Sequence, residues 1–342
     1  MVKVAVVILN WNGRELLEKF LPSVVKYSSS HAQVFVIDNA SNDNSISFLK
    51  ENYPGVQLVQ NPRNEGFAKG YNNGLRHIHA EYYILLNSDV EVTENWIQPV
   101  VTLMESDKKI ASCQAKIRDY KNKALFEYAG AAGGFIDKYG YAFCRGRIFD
   151  SFETDTGQYD DQKEIFWATG ACMFIRSESY LKAGGFDEDF YAHMEEIDLC
   201  WRLKNSGYKI MYCPQSVVYH LGGATLSKID PHKTYLNFRN NLILFFKNHS
   251  SSYFWMKLFL RMTFDGIAAI KFFLGGQFAH FAAVLKAHWH FYFLFFQTLG
   301  KRKALKAQIS SYASTAVYGK SIVFDYFIRG KKKFTELDSS AF

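Results

Sequence analysis

The stretch VAVVILNWNGRELLEKFLPSVVKYSSSHAQVFVIDNASNDNS, residues 4–45, decides the fold. Its apolar runs Val4–Leu9 and Val34–Ile37 are short and nearly continuous, which suits strands buried on both faces of a mostly parallel sheet. Between them, Glu15–Lys26 carries a helical pattern. The alternation continues outward. Ser45–Asn52 reads as a helix capped by Asp43 or Ser45, Val56–Val59 as a strand, Phe67–Ile78 as a helix and Tyr82–Leu86 as a strand. A doubly wound α/β sheet is expected, with its ligand at the carboxyl ends of the strands.

Two of those strand ends are polar. Val34–Ile37 runs into Asp38, and Tyr82–Leu86 into Asn87, Ser88 and Asp89. A carboxylate in the first position can accept hydrogen bonds from a nucleobase or a ribose; a capped polar turn is the plainer alternative. At the second, an Asp is a natural holder for a divalent cation that offsets diphosphate charge, and again a polar turn competes. NEGFAKGYNNGL, residues 64–75, spaces its glycines at four, along one helix face. It is neither G-x-G-x-x-G nor a phosphate loop ending in Gly-Lys-Ser/Thr, so dinucleotide and nucleoside-triphosphate chemistry lose their main support.

GGFDEDFYAHMEEIDLCWRLKNSGYKI, residues 184–210, places Glu195, Glu196 and Asp198 at the start of a helix expected over Glu195–Asn205. The helix dipole favours acids there, and one of them could take a proton from an attacking hydroxyl. Arg202 can pair with Asp198 four residues earlier. His220, in VVYHLGG, is a candidate imidazole ligand beside a metal, with Gly222 and Gly223 leaving room for a diphosphate. Strands are expected at Phe166–Ile175, Ile210–Cys213 and Val217–Tyr219, a helix at Ser177–Ala183, and loops with short strands over 119–163.

After Asp230 the chemistry changes. The chain as a whole has a net charge of +7. Residues 231–342 hold 16 Lys and Arg against 4 Asp and Glu, whereas the preceding part holds 24 against 29. The two ends therefore suit different partners. Lys233–Asn248 is an amphipathic helix candidate. Beyond it, Phe272–Leu285 and Ala287–Gly300 are uncharged runs of 14 residues each, split by Lys286. A spanning helix needs roughly 18–20 apolar residues, so helices lying in a membrane interface fit better, with a soluble subdomain or dimer interface as the alternative. No nucleic-acid-binding motif interrupts the tail. Five cysteines without CxxC spacing suit a reducing compartment, and Val4–Leu9 is too short for a secretion signal.

Taken in order, VAVVILNWNG, VIDNASNDNS, NEGFAKGYNNGL, YILLNSDVEV, residues 169–210 and VVYHLGG resemble a family 2 glycosyltransferase, nearest its rhamnosyltransferase-like branch. The resemblance covers about residues 3–247. It implies an A-type glycosyltransferase fold, a Rossmann-like and mostly parallel α/β sheet flanked by helices, over residues 1–247. A helical, basic and aromatic C-terminal extension would follow over 248–342. It also implies an inverting transfer from a nucleotide-diphosphate sugar to the hydroxyl of a glycan or lipid-linked acceptor, in bacterial surface polysaccharide assembly. Asp38 would contact the base, and Asn10, Asn64, Gly66, Asn72 and Asn87 would lie along the donor. Asp89 and His220 would hold Mg2+ or Mn2+, and Glu196 would be the base, with Glu195 its competitor.

The sequence departs from the family pattern in two places. Asn87-Ser88-Asp89 stands for Asp-x-Asp, and the second acid of the Glu-Asp pair is Glu196. The Gln-x-x-Arg-Trp element of processive synthases is absent. The expected location is cytoplasmic, peripheral at the inner face of the cell membrane, with no nucleic-acid partner. The rival readings are a sugar-phosphate nucleotidyltransferase and a non-catalytic membrane-binding protein.

Overall fold

Strand β1 (Val2–Asn10) sits inside the sheet, and its residues show why the apolar run is continuous. Ala5 and Val7 enter one hydrophobic core, while Val4, Val6 and Ile8 enter another on the opposite face. Period-two alternation therefore buries both sides. The computed structural model describes residues 2–222, 230–251, 253–309, 313 and 315–342.

The chain continues through α1 (Arg14–Ser28), β2 (Gln33–Asp38), α2 (Ser45–Asn52), β3 (Gln57–Gln60), α3 (Gly66–Leu75) and β4 (Ala80–Asn87). Strands β1, β2, β3 and β4 form the expected parallel half, in spatial order β4-β1-β2-β3. Next come β5 (Val90–Val92), α4 (Gln98–Ser106) and β6 (Ile110–Asp119). The irregular stretch holds β7 (Gly134–Asp137), β8 (Ala142–Cys144), β9 (Arg147–Ile148), β10 (Ser151–Phe152) and β11 (Lys163–Ile165). The elements before the C-terminal region end with β12 (Cys172–Arg176), α5 (Ser177–Lys182), α6 (Glu195–Asn205) and β13 (Lys209–His220).

The main sheet has nine strands, with β12 inserted antiparallel between β4 and β6 and β13 parallel to β6. Three local differences from the sequence reading have physical causes. The strand expected over Phe166–Ile175 starts only at Cys172, because Trp167 instead bridges Gly134 in the second sheet. The two strands expected at 210–219 are one, with a register shift between Cys213 and Val217 at the Pro-containing bulge. The short strands expected among loops over 119–163 are present, but they pair as hairpins that, with β14, build a separate five-stranded sheet.

The C-terminal region consists of α7 (Pro231–Asn248), α8 (Phe254–Leu274), α9 (Phe278–Phe293) and α10 (Phe295–Gln308), then β14 (Val317–Tyr318) and α11 (Ile322–Phe327). Gly275 and Gly276 make the α8–α9 turn, so the uncharged run Phe272–Leu285 is divided between two helices rather than forming one. Strand β14 pairs in parallel with β7 and completes the second sheet. Among the described residues, no helix is long and apolar enough to cross a membrane.

Candidate active site

The register of the parallel strands brings the first polar ends together. Asn10 stands opposite Asp38 across β1 and β2. Its Nδ2 donates to Asp38 Oδ1 at 3.2 Å, and the Ser41 amide donates to Asp38 Oδ2 at 2.9 Å. Asp38 is buried, held with its carboxylate at the carboxyl edge of the sheet. An amide ladder runs onward from its neighbour. Asn39 Nδ2 donates to Asn64 Oδ1 at 2.8 Å, and Asn61 Nδ2 donates to Asn39 Oδ1 at 3.0 Å. Gly66 follows at φ +86°, where a Cβ would lie 2.5 Å from the Tyr191 ring. Only glycine admits that approach and that backbone angle.

Leu9 pairs with Asn87 across β1 and β4, so the second polar end sits beside the first. Strand β5 begins directly after Asp89 and pairs with the end of β13, placing His220 opposite Val90. His220 Nε2 lies 3.1 Å from Asp89 Oδ1 and 3.4 Å from Asn87 Nδ2. Its Nδ1 lies 3.2 Å from Glu127 Oε1, at ion-pair distance though not aligned as a hydrogen bond. Gly222, at φ +66°, makes room for this contact; a Cβ there would come within 2.9 Å of Glu127 Oε1. Gly223 lies outside the described residues.

This cluster is strongly polarised. Burial alone would keep the His220 ring neutral, but the Glu127 charge and the Asp89 hydrogen bond outweigh it and push the imidazolium up to about 10. Burial likewise raises Asp89, yet the His220 hydrogen bond and charge bring its carboxyl below the usual value. Glu127 was not singled out from the sequence. It lies in the aperiodic stretch before β7, where neither alternation nor motif marks it.

The acid pair opens α6, as its helix pattern foretold. Glu195 is buried and Glu196 half-buried, and one carboxylate oxygen of each has no hydrogen-bond partner among the described residues. Burial, with the neighbouring Glu196 charge, pushes Glu195 well up. Burial pushes Glu196 up to about 7, against the pull of nearby backbone amides. The Cys144 thiol senses both halves of the site. Burial raises it, Arg147 opposes this, and Glu127 and Glu196 add to the rise, to about 11. Asp198 is not part of this pair. It is fully buried and anchors Arg202 Nε at 2.8 Å and Lys247 Nζ at 2.7 Å.

The loop leading to the pair is strained and clamped. Tyr191, His193 and Met194 all take positive φ. Helix α7 holds their backbone in place. Asn240 Nδ2 donates to the carbonyls of Phe190, Ala192 and His193 at 3.0, 2.8 and 2.7 Å. Arg239 Nη2 adds the Asp189 carbonyl at 2.9 Å. On the far side, Asn72 accepts from Tyr180 Oη at 2.6 Å and donates to the Phe186 carbonyl at 2.9 Å. Asn72 is therefore committed to this loop, apart from the Asn10–Asp38 and Asp89–His220 groups.

Among the described residues, no three His, Cys, Asp or Glu side chains converge as a ready-made metal cage. Asp89 supplies an oxygen donor, and His220 becomes a nitrogen donor once an arriving cation displaces its Nε2 proton, with Glu127 behind the ring. That arrangement suits a divalent ion whose remaining ligands are phosphate oxygens and water.

Comparison with known proteins bears on the fold and the family. The chain is 22% identical over 282 residues to an N-acetylglucosaminyl-diphospho-decaprenol L-rhamnosyltransferase of Mycobacterium tuberculosis, covering 78% of this chain and 90% of that one. It is 22% identical over 226 residues to a rhamnosyltransferase of Escherichia coli, covering 64% and 83%. A mannosyltransferase of Pyrobaculum calidifontis, solved with GDP-Man and Mn2+, superimposes with a TM-score of 0.53 at 15% identity, covering 84% of this chain and 86% of that one. That likeness assigns the A-type glycosyltransferase fold. Residues 5–182 match the family described as glycosyl transferase family 2, which sets aside the nucleotidyltransferase alternative, and the chain belongs to that family.

Proposed function

We propose that this glycosyltransferase moves a sugar, with inversion, from a nucleoside-diphosphate donor to a hydroxyl of a lipid-linked glycan acceptor in cell-surface polysaccharide assembly. The observation that carries the reading is Glu196, a carboxylate with an unpartnered oxygen at the start of α6, directly after a clamped loop, pushed up to about 7. A base of that strength matches neutral pH. The acceptor oxygen attacks the anomeric carbon, its proton passes to Glu196, and the bond to the diphosphate oxygen breaks with the electron pair leaving on the diphosphate. Asp38 and the Asn10 and Asn39–Asn64 amides orient the nucleoside end.

Asp89 and His220 would hold a divalent ion, Mg2+ or Mn2+, which when bound supplies charge neutralisation for the departing diphosphate. Glu127 orients the His220 ring. Inversion follows from there being one attack on one face. A polyprenyl-diphosphate acceptor and a deoxyhexose donor such as rhamnose are the first substrates supported by the relatives' names. Such an acceptor would be met at the inner face of the cell membrane, with the enzyme on the cytoplasmic side.

The test is turnover of a panel of nucleotide sugars with and without Mn2+, followed by NMR of the anomeric configuration in the product. Glu196→Gln and Asp89→Ala are each expected to reduce turnover by about 100-fold or more. Full turnover in both would remove this mechanism, and retained anomeric configuration would remove inversion.

A further inference from the structure

Of the 23 large hydrophobic side chains exposed among the described residues, 14 fall between Tyr253 and Phe296. Their arrangement is not scattered. At about 100° per residue, the exposed apolar residues of α8, from Trp255 and Phe259 to Ile270 and Leu274, lie within an arc of about 120°. Those of α9, among them Trp289 and Phe293, lie within about 100°. No charged residue falls in either arc.

The two arcs join. Phe273 and Phe278, both exposed, meet across the hairpin turn at 5.4 Å, and the Tyr292 hydroxyl reaches Met262 Sδ at 4.0 Å near the other end. The hairpin therefore shows one continuous apolar face, larger than single exposed side chains explain. Leu274 at 79% and Phe293 at 80% exposure have almost no cover from the chain itself.

The charges around this face choose its partner. Asp265 is the only acid between 253 and 300, and it is buried, accepting from the Tyr141 hydroxyl at 2.9 Å. The exposed charges of the hairpin are Lys271 and Lys286, each at the margin of an apolar arc. Lys303 and Lys306, exposed on the following helix α10, add further positive charge to this region. A second copy would set this basic rim against its like. An anionic bilayer meets the rim with opposite charge and takes the aromatic face at headgroup depth.

We propose that the α8–α9 hairpin is a bilayer-docking surface that lies flat on anionic phospholipid, resting on the reading that the acceptor is met at a membrane. The experiment uses the full chain, pelleted with vesicles of phosphatidylcholine alone or of phosphatidylcholine with phosphatidylglycerol. Donor hydrolysis is measured on the same preparations without vesicles. Co-pelleting with the anionic vesicles is expected, accompanied by a blue shift of tryptophan fluorescence.

The triple variant Phe259→Ser, Ile270→Ser, Leu274→Ser is expected to stay in the supernatant with unchanged donor hydrolysis, since all three side chains face outward. Lys271→Glu with Lys286→Glu is expected to weaken binding by about tenfold or more. A parent chain that ignores anionic vesicles overturns the proposal, as does a triple variant that pellets as well as the parent. Self-association abolished by the triple variant, with no vesicle binding by the parent, assigns the face to a second copy and also overturns it. The sugar-transfer reading is tested without vesicles, by nucleotide-sugar turnover and the product's anomeric configuration, so the two failures are separable.

Discussion

Glu196 pays for its reactivity in stability, and the sign of that effect is fixed by its environment. An acid whose folded pKa is raised favours the folded state only while it is protonated. That advantage is complete below its ordinary value of 4.5 and is lost as pH rises through about 7. Catalysis needs the opposite state, so turnover is expected to climb through an apparent pKa near 7. Glu196→Gln is expected to abolish that limb. The same variant is expected to melt higher than the parent at pH 8 and to lose this gain only as pH falls below 4.5, as scanning calorimetry would record. Glu195→Gln, by contrast, is expected to keep the rising limb, which separates the two acids. A parent whose activity is flat from pH 5.5 to 8 would rule out Glu196 as the base. Of the site, the acids at strand and helix ends were legible because they follow elements whose periodicity is strong. Glu127 was not, because its role is created by a loop returning to His220 from 93 positions away, and a local pattern carries no trace of that return.

At the scale of elements, α7 is the piece whose importance its amphipathic pattern understates. The amphipathic pattern expected over Lys233–Asn248 does not single out Asn240, yet Asn240 is fully buried. Its amide serves three carbonyls of a loop in which three non-glycine residues take positive φ. Backbone angles of this kind cost about 1–3 kcal/mol each and persist only when held from outside. Asn240→Ala removes the holder and strands buried carbonyls, at roughly 1–3 kcal/mol for each that finds no replacement. It is expected to lower the melting temperature. It is also expected to reduce kcat by about 100-fold while changing the donor KM little, because a shift of about 1 Å in the acid pair suffices for that loss. Equal losses in kcat and KM across donors would reduce Asn240 to a general structural residue. Helix α7 and the parallel half of the sheet were both readable as elements, but the clamp that α7 supplies was not. Strands buried on both faces announce themselves by composition, whereas a helix residue turned inward to clamp a loop looks like any solvated asparagine. Strand β6, central to the sheet yet carrying Ser112, Gln114 and Lys116, hid for the same reason.

At the scale of the whole molecule, the C-terminal region is tied to the catalytic part at both of its ends. Lys301 in α10 reaches Asp187 at 2.5 Å and Asp189 at 2.6 Å, on the loop that carries the acid pair. Further on, β14 extends the second sheet, the Ile322 amide donates to Asp137 Oδ2 at 3.0 Å, and the Phe334 amide donates to Glu153 Oε1 at 3.0 Å. The Phe334 and Phe342 rings pack 5.0 and 5.3 Å from Phe135. Packing therefore runs across the boundary expected at 247/248, and the last 26 residues belong to the hairpins of 134–152. Loss of two packed aromatics alone costs roughly 3–6 kcal/mol, comparable with the roughly 5–15 kcal/mol total stability of a folded domain. A chain ended at residue 308 keeps every candidate catalytic residue and the whole α8–α9 hairpin. It is nevertheless expected to expose Phe135 and Phe143, bind a hydrophobic dye, melt well below the full chain and lose donor hydrolysis in proportion. Unchanged melting and hydrolysis in that shortened chain would show that the second sheet closes without its last strand, and that residues 317–342 are an appendage to the catalytic body.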